Sequence, residues 1–262
     1  MPENLVHYRV DGGVAILEMC DPPANTYTHE MMRQLDDAIL RARFDDTAHV
    51  LVLRGAGDKF FCAGADIRML TEVTPRYKYY FCLHANETLN RLEQTPKLVI
   101  AALNGHTVGG GLEVALAADF RIARRGGGKI GLPEVALGVL PGTGGTQRLA
   151  RLLGKSKALE LLASGRTFSF EEAAEMGLVN QIFDAEDFEK SVLDYAREYC
   201  PPRRAALAVG AIKRAVQSGL ESSFAEGLAL ERELQQQLFT SEDAREGLAA
   251  YVEKRPANFK AR

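Results

Sequence analysis

The chain has 262 residues, enough to bury a sizeable core in one domain with an appended region. Its hydrophobic content of 46% and charged content of 26% are ordinary globular values, and a net charge of −3 excludes a general electrostatic pull toward nucleic acid or anionic membrane. Cys20, Cys62, Cys82 and Cys200 are widely spaced and form no CxxC pair, which argues against a disulfide framework or zinc site and fits a reducing compartment. No apolar run approaches the ~20 residues of a membrane span. The opening Met1-Pro2-Glu3-Asn4-Leu5 has no basic region followed by an apolar stretch, so no secretory or transit signal is read there and a cytoplasmic setting is expected.

Strands are predicted at Val6–Val10 and Val14–Leu17, joined across Asp11-Gly12-Gly13 as a hairpin. Residues 28–44 carry helical spacing, with Met31, Met32, Leu35, Ile39 and Leu40 on one side. Val50–Leu53 reads as a short buried strand. Residues 76–94 read as a helix that stops before Pro96. Leu98–Leu103 is a continuous apolar strand suited to a sheet covered on both faces. A helical run from Leu112 to Ala118 leads to a strand at Asp119–Ala123. Beyond about residue 145 the chain is mostly helical, with segments at 146–153, 156–163, 169–176, 187–199, 205–216, 222–239 and 242–253, and one strand-like interruption at Leu178–Phe183. Ser169-Phe170-Glu171-Glu172 has capping-box chemistry. Cys200-Pro201-Pro202 is a breaker and a hinge candidate. The pattern predicts an α/β core of repeated ββα-type units with a C-terminal helical region.

Three glycine-bearing turns carry the functional signal. Asn104 to Glu113 places Gly109-Gly110-Gly111 between an apolar strand and a helix, so backbone can approach a ligand and present helix-terminal amides to negative charge. Glu113 follows within a turn, where an acid also suits the helix dipole. Phe60 to Ile67 is a second strand-to-turn transition with small residues. Gly131-Leu132-Pro133-Glu134 supplies a second acid, and Gly138 to Leu149 is a glycine-rich approach to another helix. The triple glycine lacks GxGxxG spacing, which argues against a dinucleotide site. Structural or exposed roles are expected for His84 and His106, and Asp119 is expected to fix a turn.

The segments FCAGADI, NGHTVGGGLEVALAADFRIA and GLPEVALGVLPGTGGTQRL resemble the signature blocks of the crotonase (enoyl-CoA hydratase/isomerase) superfamily, and the likeness continues through AAEMGLV to YVEKRPANF. The resemblance implies the crotonase (ClpP-like) spiral fold, with a core over residues 1–200 and a helical trimerisation region over 201–262. It implies an oxyanion hole from the amides of Ala65 and Gly110, with Glu113 activating water and Glu134 delivering a proton to the α carbon of an enoyl-CoA. Gly142 is expected to open a helix facing the site. Arg68 is expected to meet a coenzyme A phosphate, Lys254 and Phe259 to reach the ligand from the chain end, and Ala63 and Ile67 to line its groove, with Asp66 among the substrate-binding positions. The implied substrate is an acyl-CoA in fatty acid metabolism, with no metal or redox cofactor, and the implied assembly is a homotrimer or homohexamer. Enoyl-CoA isomerisation, hydration of branched or cyclic acyl groups, and RNA binding through Arg203-Arg204 and Lys213-Arg214 are the alternatives. Two departures bear on acyl preference: the loop Arg124 to Ile130 is longer than usual, with Ile130 where relatives often carry an aromatic residue. A third, Asn25-Thr26-Tyr27-Thr28, replaces the more usual Asn-Ala-Leu.

Overall fold

The computed structural model describes residues 4–262; the Met1-Pro2-Glu3 start, where no targeting signal is read, lies outside the described residues. In chain order the elements are β1 (Val6–Asp11), β2 (Val14–Met19), α1 (His29–Phe44), β3 (Val50–Gly55), β4 (Phe60–Cys62), α2 (Ile67–Glu72), α3 (Pro75–Glu93), β5 (Leu98–Leu103), β6 (His106–Val108), α4 (Gly110–Leu116), β7 (Phe120–Arg124) and β8 (Lys129–Gly131). A 3-10 turn (Glu134–Leu137) follows, then α5 (Gly145–Leu153), α6 (Lys155–Ser164), β9 (Phe168–Ser169), α7 (Phe170–Glu175), β10 (Gln181–Phe183), α8 (Phe188–Arg197), α9 (Ala206–Leu220), α10 (Phe224–Phe239) and α11 (Glu242–Glu253).

Two sheets form the frame. The larger has the order β1-β2-β3-β5-β7-β10, the smaller β4-β6-β8-β9. The β1–β2 hairpin and the β8–β9 pair are antiparallel, and the other pairings are parallel. Each turn of the chain adds one strand to the large sheet, one to the small sheet, and a helix: β3-β4-α3, then β5-β6-α4. This is the spiral of ββα units, and the apolar run of β5 is buried along its whole length because helices cover both faces of the sheet.

Strand alternation divides the core in two. Leu17, Leu51, Leu53, Val99 and Leu103 face one way, against α1, α3, α4 and α7. Ile16, Val52, Ile100 and Ile122 face the other way, against Phe188, Val192 and Leu193 of α8. Side-chain oxygens cap the long helices: Thr28 accepts from Met31 N–H for α1, and Thr74 from Tyr77 N–H for α3. Ser169 caps α7 from Glu172 N–H, while the complete reciprocal capping box forms at Ser223 and Glu226 of α10.

The structure adds to the expectations and corrects some. The three-residue strands β6 and β8 and the two-residue β9 carry too little sequence for a period-two pattern. The helix over 76–94 is preceded by a separate turn of helix, α2, and Val73 and Thr74 separate the two. Leu40 is only half-buried, and Ala38 and Ala42 fill the α1 face instead. Ile130 is fully buried within the core and pairs with Phe168, so that departure does not reach an open cleft. Cys200 to Arg203 is a hydrogen-bonded turn between α8 and α9, with Arg203 N–H donating to Cys200 O at 3.0 Å.

Candidate active site

Three loops meet at one edge of the small sheet. β4, β6 and β8 run parallel, with Cys62 beside Thr107 and Val108 beside Gly131. The residues leaving these strands therefore emerge together at the carboxyl edge, where open parallel sheets bind ligands. β4 delivers Ala63 to Asp66, β6 delivers Gly109 and Gly110, and β8 delivers Leu132 to Glu134.

Ala65 is held by an isolated parallel bridge to Tyr27. Tyr27 N–H donates to Gly64 O at 2.9 Å, and Asp66 N–H donates to Tyr27 O at 3.1 Å. The bridging bonds flank Ala65, so its own N–H turns to the other side and has no partner among the described residues. Gly110 N–H is the first amide of α4, which a helix cannot satisfy internally, and no side chain caps it. The two loops abut: a Cβ on Gly64 would stand 2.8 Å from Gly110 N. Gly109 must be glycine because its φ of +56° is in the left-handed region, and Gly110 because a Cβ there would collide with the Tyr27 hydroxyl.

Glu113, one turn into α4, is only 2% exposed. Its Oε1 accepts from Thr143 N–H and Gly145 N–H, both at 2.7 Å, and its Oε2 accepts from Thr143 Oγ1–H at 2.6 Å. A carboxylate offers about four acceptor positions. Three are occupied, and the one left is on Oε2. The glycine-rich approach to α5 thus wraps its start around a buried acid, an arrangement favoured by the unsatisfied amides and dipole of a helix N-terminus.

Glu134 sits in the 3-10 turn with a different environment. Burial pushes its carboxyl up to about 7; the nearby Glu113 adds to this, while its own backbone N–H and Lys78 oppose it. Glu134 Oε2 is buried with no hydrogen-bond partner among the described residues. Its Oε1 lies 3.2 Å from where a Cβ on Gly109 would stand, so the acid packs against the residue next to the Gly110 amide. One acid holds three donors and the other is nearly bare, so the two carboxyls of the cleft stand in unlike environments.

The structure brings together Ala65, Gly110, Glu113 and Glu134, with Ala63 on the same loop. The remaining site expectations fare differently. Asp66 uses its carboxylate to cap α2, accepting from Arg68 N–H at 2.8 Å and Met69 N–H at 3.4 Å. Ile67 and Arg68 follow it into solvent. Gly142 does not open a helix, since Gly144 is the N-cap of α5; instead the Gly142 carbonyl accepts from Asn86 Nδ2 at 3.3 Å. Lys254 is the left-handed C-cap of α11, and Phe259 packs beside Gly247 with its N–H on Pro202 O at 3.2 Å. Neither makes a hydrogen bond or ring contact with the cleft among the described residues. His106 is structural, accepting from Lys129 N–H at 3.0 Å, and Asp119 accepts from Val99 N–H at 2.7 Å. The Gly126 to Gly128 loop lies at the amino end of β8, opposite Glu134, where Gly126 N–H donates to Glu171 at 3.2 Å. Of the basic pairs, Lys213 is buried on Asp119 and Arg203 pairs with Glu198.

Sequence reasoning missed Thr143 and Tyr27. Thr143 stands between glycines in PGTGG, and its hydroxyl is the only side chain that hydrogen-bonds Glu113 among the described residues. Tyr27 lies in the departure from Asn-Ala-Leu, and the signal there was the unusual residue itself.

A ββα spiral with its cleft at the carboxyl edge of the smaller sheet defines a crotonase-fold protein. The chain superposes over its full length on 98% of an enoyl-CoA hydratase from Geobacillus kaustophilus, with a TM-score of 0.96 and 44% identity. For an enoyl-CoA hydratase from Bacillus anthracis the TM-score is 0.93 at 32% identity, covering 98% of this chain and 100% of that one. It is 34% identical over 256 residues to a short-chain-enoyl-CoA hydratase of Clostridium acetobutylicum (97% of each chain). It is 35% identical over 247 residues to a crotonyl-CoA hydratase of Syntrophomonas wolfei (94% of each). Residues 9–262 match the family model of enoyl-CoA hydratase/isomerase, and the chain belongs to that family.

Proposed function

We propose that this protein is an enoyl-CoA hydratase, adding water reversibly across a trans-2-enoyl-CoA to give a 3-hydroxyacyl-CoA. The observation that carries this reading is a buried acid and a half-buried one in unlike environments beside two unpartnered amides. The thioester carbonyl sits on the Ala65 and Gly110 N–H groups. A water lies between the carboxyls, held by the remaining lone pair of Glu113 Oε2 and by the bare Oε2 of Glu134. Glu113 takes a proton from the water as its oxygen bonds to the β carbon. The π electrons move onto the thioester oxygen, where the two amides stabilise the enolate, each contributing ~2.7–4 kcal/mol. The enolate then collapses as the Glu134 carboxyl protonates the α carbon. The acids share one water, so their titrations belong to the pair.

Arg68, exposed beside the first loop, is the candidate phosphate contact for coenzyme A, and the chemistry needs no metal or redox cofactor. A place in β-oxidation and a cytoplasmic setting belong to the same reading. Among the described residues no helix is long and apolar enough to cross a membrane. A homotrimer or homohexamer is the assembly that the resemblance implies; a groove of about 670 Å³ lined by Leu98, Leu116, Val209, Ile212 and Val216 offers apolar surface for it.

The test is loss of the enoyl thioester's ultraviolet absorbance with crotonyl-CoA. Glu113→Gln and Glu134→Gln are each expected to lower kcat about 10²–10⁴-fold. Unchanged rates in either variant would overturn the assignment, and faster turnover of a 3-enoyl-CoA than of crotonyl-CoA would favour isomerisation.

A further inference from the structure

Tyr27 touches all three functional parts of the cleft. Its backbone brackets Ala65 through the bonds to Gly64 O and from Asp66 N–H. Its hydroxyl occupies the space where a side chain on Gly110 would stand. The same hydroxyl is 3.1 Å from Thr143 Oγ1, which is 2.6 Å from Glu113 Oε2.

The direction of this chain of bonds follows from the proton count. Thr143 has one hydroxyl proton, and it goes to Glu113. Thr143 Oγ1 can then only accept from Tyr27, which must donate. Tyr27 is 2% exposed, and its hydroxyl has no other partner among the described residues. Burial first, then the nearby Glu113, push the phenol well above its ordinary value, so it remains a donor. The bonds therefore run one way, Tyr27 to Thr143 to Glu113, and each polarises the next. The other titratable groups around them are Cys62 of β4, Cys82 of α3 and Glu134, with Lys78 acting on Glu134.

We infer that Tyr27 is a positioning residue for the hydration reaction, with its hydroxyl acting through Thr143 to fix the Glu113 carboxylate so that the one unoccupied lone pair of Oε2 faces the water. The inference rests on the hydratase reading for the task of Glu113, but the bonded array itself does not depend on it. Without the Tyr27 hydroxyl, Thr143 Oγ1 has a buried unsatisfied acceptor and is a weaker donor. Oε2 is then less firmly held and the base is less well presented.

Tyr27→Phe keeps the ring and its packing against Phe81. The variant is expected to lower kcat on crotonyl-CoA about 3–10-fold with KM nearly unchanged. Thr143→Val is expected to lose about 10–100-fold, and Thr143→Ser to recover most of it. Because Tyr27 acts only through Thr143, the double variant Tyr27→Phe/Thr143→Val should be no slower than Thr143→Val alone. Independently of turnover, the ¹³C carboxyl resonance of Glu113, assigned with Glu113→Gln, should move in each single variant and no further in the double one. That readout separates the inference from the hydratase reading: a wild type inactive on crotonyl-CoA with coupled resonance shifts sinks only the reading. Multiplicative losses in the double variant, or a Glu113 resonance indifferent to Tyr27→Phe, overturn the inference. Should Tyr27→Phe fail to fold, equal resonance positions in Thr143→Val, Thr143→Ser and wild type overturn it as well.

Discussion

Glu134 is a carboxyl that folding makes harder to ionise, and this fixes the sign of a pH effect. Its folded value of about 7 stands above the 4.5 of a free glutamate. Between these values the folded state binds more protons than the unfolded one, so this group's contribution to stability is complete below about 4.5 and is lost as pH rises through about 7. Glu134→Gln removes the dependence. Thermal or urea unfolding at pH 8 should show the variant about 1–2 kcal/mol more stable than wild type, a figure discounted for partial solvation, with no gain at pH 4.5. In turnover the sign is set by the reaction: hydration starts with the pair's one proton on Glu134 and dehydration of a 3-hydroxyacyl-CoA starts with it on Glu113, so both directions should slow together as pH rises through about 7. A pH profile of both directions checks this. Glu113 and Glu134 were both legible in the sequence because each stands in a glycine-bearing segment that resembles a signature block of the family. Their unlike environments were not, because the donors on Glu113 come from residues 143 and 145, some thirty positions further along the chain.

Short elements carry the site, and each has a local reason to form. α2 begins directly after the Ala65 turn because Asp66 caps it. The Asp66 carboxylate satisfies two helix amides, so its influence on the site is through the turn. Asp66→Ala should destabilise α2 by ~1 kcal/mol, seen as faster amide exchange across residues 67–72, and should raise KM for crotonyl-CoA more than it lowers kcat. α4 begins where Gly110 meets the Tyr27 ring. Gly110→Ala forces its methyl into the tyrosine hydroxyl, displaces an amide of the oxyanion site, and should lower kcat about 10²–10³-fold with a stability loss of ~1–3 kcal/mol. Crotonyl-CoA turnover and urea midpoints measure both.

At the scale of the whole molecule, one buried ion pair ties the C-terminal helices to the spiral. Lys213 of α9 lies 2.8 Å from Asp119, which also accepts from Val99 N–H, and Lys213 Nζ donates to Lys97 O at 3.1 Å. Burial raises the Asp119 carboxyl and lowers the Lys213 amine, and each partner opposes the shift of the other. Removing one partner leaves an uncompensated buried charge, so Lys213→Met should cost about 3–5 kcal/mol, and adding Asp119→Asn should restore much of it. Chemical unfolding of the two variants decides this. Lys213, read with Arg214 as a basic pair, is thus a structural cation, while Arg214 is exposed; periodicity cannot distinguish the two.

The sequence by itself determined the alternation of strands and helices, the three glycine-bearing turns and the two acids, because apolar period and glycine placement are local properties. Only the tertiary structure decided which of those turns share an edge, since the pairing of β4, β6 and β8 joins residues that lie tens of positions apart. It alone decided that Asp66 caps a helix and that Gly144 caps α5. It alone decided that Tyr27, buried far along the chain from its partner, reaches Thr143. Hydrogen bonds and burial depend on what the folded chain places around a group, and no local pattern carries that information.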